Sequence, residues 1–292
     1  MGEITEALRR GRENASPVPE RASPPPVAPE SPAYREALRE ETRAPAPDPP
    51  PEQVTLSTQQ DNGWFARALV ADEHGAPAES FRELALRVRR ELDRRSLRGV
   101  AVVSALRAEG KTTVACNLAL ALASLTRDGA VALVDLDLRN PSVRRSLGLP
   151  RKPGVDAVLR GETRLVDVRL AIERPGLDVY QTGRVETDVQ GLLVGSKFVT
   201  MLRELERRYE ITVFDTPPTL LVPDAAIIVE QVRAALAVSR AGLTGRRSFA
   251  HAVDLLTPAR VLGCVLNEGT SPASAKHYGE YYGADHGGDP SE

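Results

Sequence analysis

The chain has 292 residues and a mass of 31.6 kDa, enough for one large domain with appendages or two modest domains and too much for a disulfide-stapled mini-protein. Lys and Arg total 38 against 40 Asp and Glu, a net charge of -2, so no whole-chain field draws it to nucleic acid or anionic lipid. Cys116 and Cys264 stand alone without CxxC spacing and no secretory leader pattern precedes them, which suits a reducing cytoplasm. The longest apolar run, Val114 to Leu125, falls short of the ~20 residues a bilayer span needs.

Twelve of the 23 prolines lie between Pro17 and Pro51, in a stretch with almost nothing to bury. Residues 1–77 are therefore expected to form a disordered, Pro-rich arm, with Ile4 and Leu8 on a short amphipathic helix at its start. From Glu79 the composition changes, and a folded domain is expected over 78–270. Arg87, Arg89, Arg90, Arg94, Arg95 and Arg98 mark a basic helix, read as a solvated face paired with Glu83, Glu91 and Asp93. Beyond Gly99, β-branched runs at 100–103, 130–134, 211–214, 234–238 and 261–266 alternate with helical patterns at 111–126, 198–208 and 246–256. That alternation predicts an α/β fold, a doubly wound, mostly parallel sheet with helices on both faces. Asp224 reads as a helix cap, and Tyr180 and Tyr209 as packing residues.

The first strand runs into Ser104-Ala105-Leu106-Arg107-Ala108-Glu109-Gly110-Lys111-Thr112-Thr113, and a helix follows at once. That is the context of a phosphate-binding loop: amides at the helix start face an anion, Lys111 reaches its terminal phosphates, and the Thr112 hydroxyl can ligate Mg²⁺. The general pattern has Gly where Ala105 stands. A second strand ends in Asp215, at the carboxyl edge where open α/β sheets bind ligands. A third ends in Val134-Asp135-Leu136-Asp137-Leu138-Arg139, with both carboxylates expected on one side by period-two alternation, able to hold Mg²⁺ and accept a proton.

Four ordered motifs carry a resemblance: Ser104 to Thr113, Val134 to Pro141, Phe214 to Pro218, and Val261 to Asn267. From about Glu79 onward the chain resembles the bacterial tyrosine kinases, the P-loop autokinases of capsule and exopolysaccharide assembly. The resemblance implies ATP and Mg²⁺ as cofactors, with Glu109, Gly110, Lys111, Thr112, Thr113 and Asn267 on the nucleotide and Asn267 at the adenine. Thr112, Asp135 and Asp215 would hold the metal, and Lys111, Asp135, Asp137 and Asp215 would carry catalysis. It implies a membrane activator protein of the polysaccharide co-polymerase type, a cytoplasmic location that such a partner would draw to the inner face of the membrane, and assembly of several copies; no nucleic-acid partner is expected. Departures stand beside the matches. Arg107-Ala108 replaces the usual Pro-Gly, and the family's Glu-x-x-Arg-x-x-Arg is present as Glu79 and Arg82 with Ala85 in the last place, which leaves ring assembly open.

Residues 271–292 read as a flexible tail. Three of the six tyrosines, Tyr278, Tyr281 and Tyr282, lie within it and resemble the family's C-terminal acceptor cluster, phosphorylated by a neighbouring subunit; Tyr34 in the arm is a weaker candidate. The expected function is an ATP-dependent protein-tyrosine autokinase regulating polysaccharide synthesis and export. Two alternatives are a partitioning-type P-loop ATPase switch, against which Leu106 stands where that group has a signature Lys, and a non-catalytic nucleotide-binding adaptor.

Overall fold

The computed structural model describes residues 48–56, 75–127, 129–257 and 260–269. The expected terminal helix, Tyr34 and the tyrosine cluster of the tail lie outside the described residues.

Chain order begins with a short strand β1 (Glu52–Val54) and helix α1 (Ala76–Arg95). Strand β2 (Gly99–Ser104) leads into α2 (Lys111–Ser124), and β3 (Val131–Asp135) is followed by α3 (Val143–Leu147) and α4 (Val155–Arg160). Then come β4 (Leu170–Ile172), β5 (Leu177–Tyr180), α5 (Val189–Val194), α6 (Ser196–Arg208) and β6 (Ile211–Asp215). The described chain closes with α7 (Asp224–Val232), β7 (Ala235–Arg240), α8 (Arg246–Leu255) and β8 (Val261–Asn267). Among the described residues these strands form one sheet, ordered β1-β4-β5-β3-β6-β2-β7-β8, and every neighbouring pair is parallel except β4 with β5.

Both faces of the sheet are covered, which is why its central strands read as unbroken apolar runs. Val100, Val102, Leu133, Val213 and Leu236 face one core layer beneath α1 and α2. Their neighbours Ala101, Val103, Val134, Phe214 and Ala237 face the other, beneath α4, α5, α6 and α7. Helix α2 is buried from Val114 through Ala123, apolar but for Asn117, where α1 buries only the stripe Ala78, Ala85, Val88 and Leu92. The basic side of α1 is an ion-paired surface, with Arg87 on Glu83, Arg94 on Glu91 at 2.9 Å and Arg89 near Glu210 at 4.0 Å.

Residues 48–56 differ from the composition-based expectation, because backbone pairing overrides it. Glu52 to Val54 add a strand to the β4 edge. Val54 and Leu56 rest on the core, Lys152 reaches Glu52 at 3.0 Å, and Arg208 reaches Asp48 at 2.6 Å. Elsewhere a buried polar chain crosses the second core layer. Tyr180 and Tyr209 share a hydroxyl hydrogen bond of 2.7 Å with their rings edge to face, and the Tyr209 hydroxyl donates to Asp178 Oδ2 at 2.7 Å. Arg169 stands 3.6 Å from the same oxygen.

Candidate active site

Between β2 and α2 the chain wraps around a cavity of about 220 Å³. Its wall is the loop from Leu106 to Thr113, faced by Asp137, Asn140, Ser142 and Pro217. Gly110 takes φ +88°, and a Cβ there would meet Asn267 Nδ2 at 2.0 Å, so the turn into α2 admits glycine alone. Ala108 is also left-handed, at φ +61°. The first amides of α2 have no helical partner and lie at this cavity, the arrangement that receives an anion.

The charges beneath the loop form one cluster. Lys111 Nζ donates to Asp137 Oδ2 at 3.1 Å and lies 3.6 Å from Asp215 Oδ1. The Thr112 hydroxyl donates to Asp215 Oδ2 at 2.7 Å and lies 2.9 Å from the hydroxyl of Ser142. Burial opposes the charge on Lys111, but the carboxylates of Asp215 and Asp137 outweigh it and hold its pKa above the ordinary lysine value. Burial pushes Asp135 well above the usual carboxylate range, with Asp215 adding to it. Asp215 is raised as well, by burial, although Lys111 and Thr112 act in the other direction.

The sequence grouped Asp135 with Asp137, and the structure separates them. Strand β3 ends at Asp135, so period-two alternation stops there. Asp137 lines the cavity. Asp135 is fully buried, with Oδ1 taking the Asp137 amide at 3.1 Å and Oδ2 taking the amides of Ser142 and Val143 at 3.1 Å each. It fixes the turn that carries Asp137 and Ser142. The Glu109 side chain is engaged within the loop, with Oε2 taking the Leu106 amide at 2.7 Å and Oε1 taking the Thr244 hydroxyl at 2.5 Å. Asn267 donates to the Glu109 carbonyl at 3.2 Å and lines the groove beside Phe81 and Leu266 instead of the phosphate cavity. Asp224 is no side-chain cap: it is buried in the first turn of α7, where Arg139 donates to both its oxygens at 2.7 and 3.3 Å. Ser142, Arg240 and Thr244 had no sequence signal, apart from the serine's place directly after Pro141.

A divalent cation fits these residues. Asp215 Oδ1 is a buried oxygen without a hydrogen-bond partner, and the Thr112 hydroxyl lies beside the same carboxylate. Among the described residues no set of three or more His, Cys, Asp and Glu side chains is placed to hold a metal alone. Mg²⁺ asks for less, since it keeps waters and substrate phosphates around one or two carboxylates.

No protein-family model matches the chain. It is 31% identical over 191 residues to the tyrosine-protein kinase YwqD of Bacillus subtilis, covering 65% of this chain and 79% of that one. The chain belongs to the bacterial tyrosine kinases. The solved kinase domain of VpsO is 32% identical, covers 67% of this chain and 100% of its own, and superposes with a TM-score of 0.58. A longer member of these kinases, etk of Escherichia coli K12, is 29% identical over 160 residues, so this chain spans 22% of that relative's length. Among the described residues of this bacterial tyrosine kinase, no helix is long and apolar enough to cross a membrane.

Proposed function

We propose that this chain is an ATP-dependent protein-tyrosine autokinase that phosphorylates Tyr278, Tyr281 and Tyr282 of a neighbouring copy and regulates capsule or exopolysaccharide synthesis and export. The observation that carries the reading is the convergence of Lys111, Thr112, Asp137 and Asp215 on one phosphate loop in a member of this kinase family. Thr112 and Asp215 would hold Mg²⁺, with Asp135 fixing the turn behind them, and the ion would supply neutralisation of charge on the transferred phosphoryl group. Loop amides from Glu109 to Thr113 grip the phosphates, and Lys111 leaves its resting carboxylate partners to pair with the terminal ones. Asp137, at the cavity wall, takes the tyrosine proton as the tyrosine oxygen bonds to the γ-phosphorus and the bond to the bridging oxygen breaks. Asn267 sits at the adenine end.

The resemblance further supports a membrane activator of the co-polymerase type, which would bring a cytoplasmic protein to the inner face of the membrane, and self-association. The domain plan follows: a Pro-rich arm through residue 77, a kinase domain over 78–270 that also recruits β1, and a tyrosine-bearing tail over 271–292. The switch-ATPase and adaptor alternatives gain no support from relatives named as tyrosine kinases.

The test is incubation of the full chain with Mg-ATP, with and without an activator tail, beside Lys111→Ala, followed by intact mass and peptide mapping. Phosphate on the tail tyrosines is expected to fall at least about a hundredfold in the variant, which leaves three carboxylates without their cation. ATP hydrolysis with no phosphotyrosine under either condition would overturn the kinase reading.

A further inference from the structure

Ala108 sits in the phosphate loop at φ +61°, a conformation that crowds any Cβ. The loop is gripped from behind by residues more than a hundred positions away in sequence. Arg240, the last residue of β7, donates Nη1 to the Ala108 carbonyl at 3.0 Å and is itself fixed by Glu268 Oε2, which takes its Nε at 2.8 Å. Thr244 takes the Arg240 amide on its hydroxyl oxygen at 2.8 Å and donates that hydroxyl to Glu109 Oε1 at 2.5 Å. Asn267 holds the Glu109 carbonyl from the same side. Neither Arg240, Thr244, Glu268 nor Asn267 lines the cavity.

The planarity of the peptide bond turns this grip into an aim. In a trans peptide the carbonyl and the following N–H point in opposite directions. Drawing the Ala108 carbonyl toward Arg240 therefore sends the Glu109 N–H the other way, and drawing the Glu109 carbonyl toward Asn267 does the same for Gly110. Both donors are turned from the brace toward the cavity side of the loop.

We propose that Arg240, Thr244 and Glu268 are positioning residues that hold the phosphate loop in its anion-receiving form in spite of Ala108. Their hydrogen bonds stand in for the conformational freedom a glycine would bring to that position. The inference rests on the nucleotide-binding reading above.

A double-mutant cycle in the full chain tests it, read out as the affinity for a fluorescent ATP analogue with Mg²⁺ and as KM and kcat for autophosphorylation. Arg240→Ala weakens nucleotide binding about tenfold and raises KM for ATP, with kcat at saturation changed less than about twofold. Ala108→Gly binds at least as tightly as wild type. Combining it with Arg240→Ala restores affinity to within about threefold of Ala108→Gly alone, which loss of a merely structural contact would not allow. Glu268→Gln keeps the shape of its side chain while loosening Arg240, and shows a smaller loss with the same rescue. Wild-type affinity in both brace variants, or no rescue by Ala108→Gly, overturns the proposal. Hydrogen exchange separates this failure from failure of the nucleotide reading. In nucleotide-free protein Arg240→Ala must speed exchange of the Leu106 amide, which Glu109 Oε2 holds within the braced loop, and an unchanged rate overturns the brace whether or not ATP binds.

Discussion

Two buried polar clusters lie in this domain, and their charge balance differs. Beneath the phosphate loop three carboxylates, Asp135, Asp137 and Asp215, surround one ammonium, Lys111, and Asp215 Oδ1 has no hydrogen-bond partner. In the second core layer one carboxylate, Asp178, is matched by Arg169 and capped by the Tyr209 hydroxyl, which is itself linked to Tyr180. Each cluster keeps one buried atom without a hydrogen-bond partner, Asp215 Oδ1 in the first and Arg169 Nε in the second, but the first is negative in excess while the second joins its groups into a neutral chain. Excess buried charge destabilises a fold unless a ligand neutralises it, so the imbalance belongs where a cation binds. The balanced cluster holds the strands and helix around it.

That contrast breaks most visibly at Asp215. Asp215→Asn should cut the Mg²⁺-dependent gain in nucleotide affinity by about a hundredfold, read by titration with and without the metal. In ligand-free protein the same change removes one of three crowded carboxylates, and the melting temperature should rise by about 2–4 °C. A fall in melting temperature would show that Asp215 stabilises the empty fold. The opposite sign is expected in the other cluster: Tyr209→Phe strips the hydroxyl from Tyr180 and Asp178 and should cost about 1–3 kcal/mol in denaturant unfolding, with nucleotide affinity unchanged.

A smaller effect sharpens the comparison at alkaline pH. Burial pushes the Tyr180 phenol up to about 12 from an ordinary value of 10.0. Between those two values the unfolded chain has lost this proton and the folded one keeps it. Stability therefore falls as pH rises through that window, by about 1.4 kcal/mol for each pH unit that the group governs. Tyr180→Phe should make that part of the curve shallower, with the buried Tyr209 phenol, also raised, still contributing, and an unchanged slope would show that the Tyr180 hydroxyl does not titrate as described.

Five strands were legible because parallel strands buried on both faces print as β-branched runs, as Val100 to Val103 and Ile211 to Phe214 do. Strands β4 and β5 were not. Each has at most four residues, and β5 places the buried Asp178 inside an apolar pattern that only Tyr209 and Arg169, from other elements, make tolerable. Strand β1 was hidden further, since Glu52, Gln53 and Val54 sit against a run of prolines and gain strand form solely by pairing with β4. At the site, Lys111, Thr112, Asp137 and Asp215 could be named because their chemistry is written in local motifs. Arg240, Thr244 and Glu268 carry no motif and meet the loop only once β7 and β8 are stacked beside β2. The separate duties of Asp135 and Asp137 depend on where β3 ends, which spacing alone does not state.

The sheet order has a bearing on traffic around the molecule. Strand β1 occupies one edge and β8 the other, seven strand spacings away, or about 34 Å at the usual separation of neighbouring strands. The polypeptide thus enters the domain at one margin, by Asp48, and departs for its tyrosines at the opposite margin, past Gly269. A label at Asp48 therefore reports on the β4 side of the sheet and a label at Gly269 on the β7 side, so the two ends of the described chain can be watched independently.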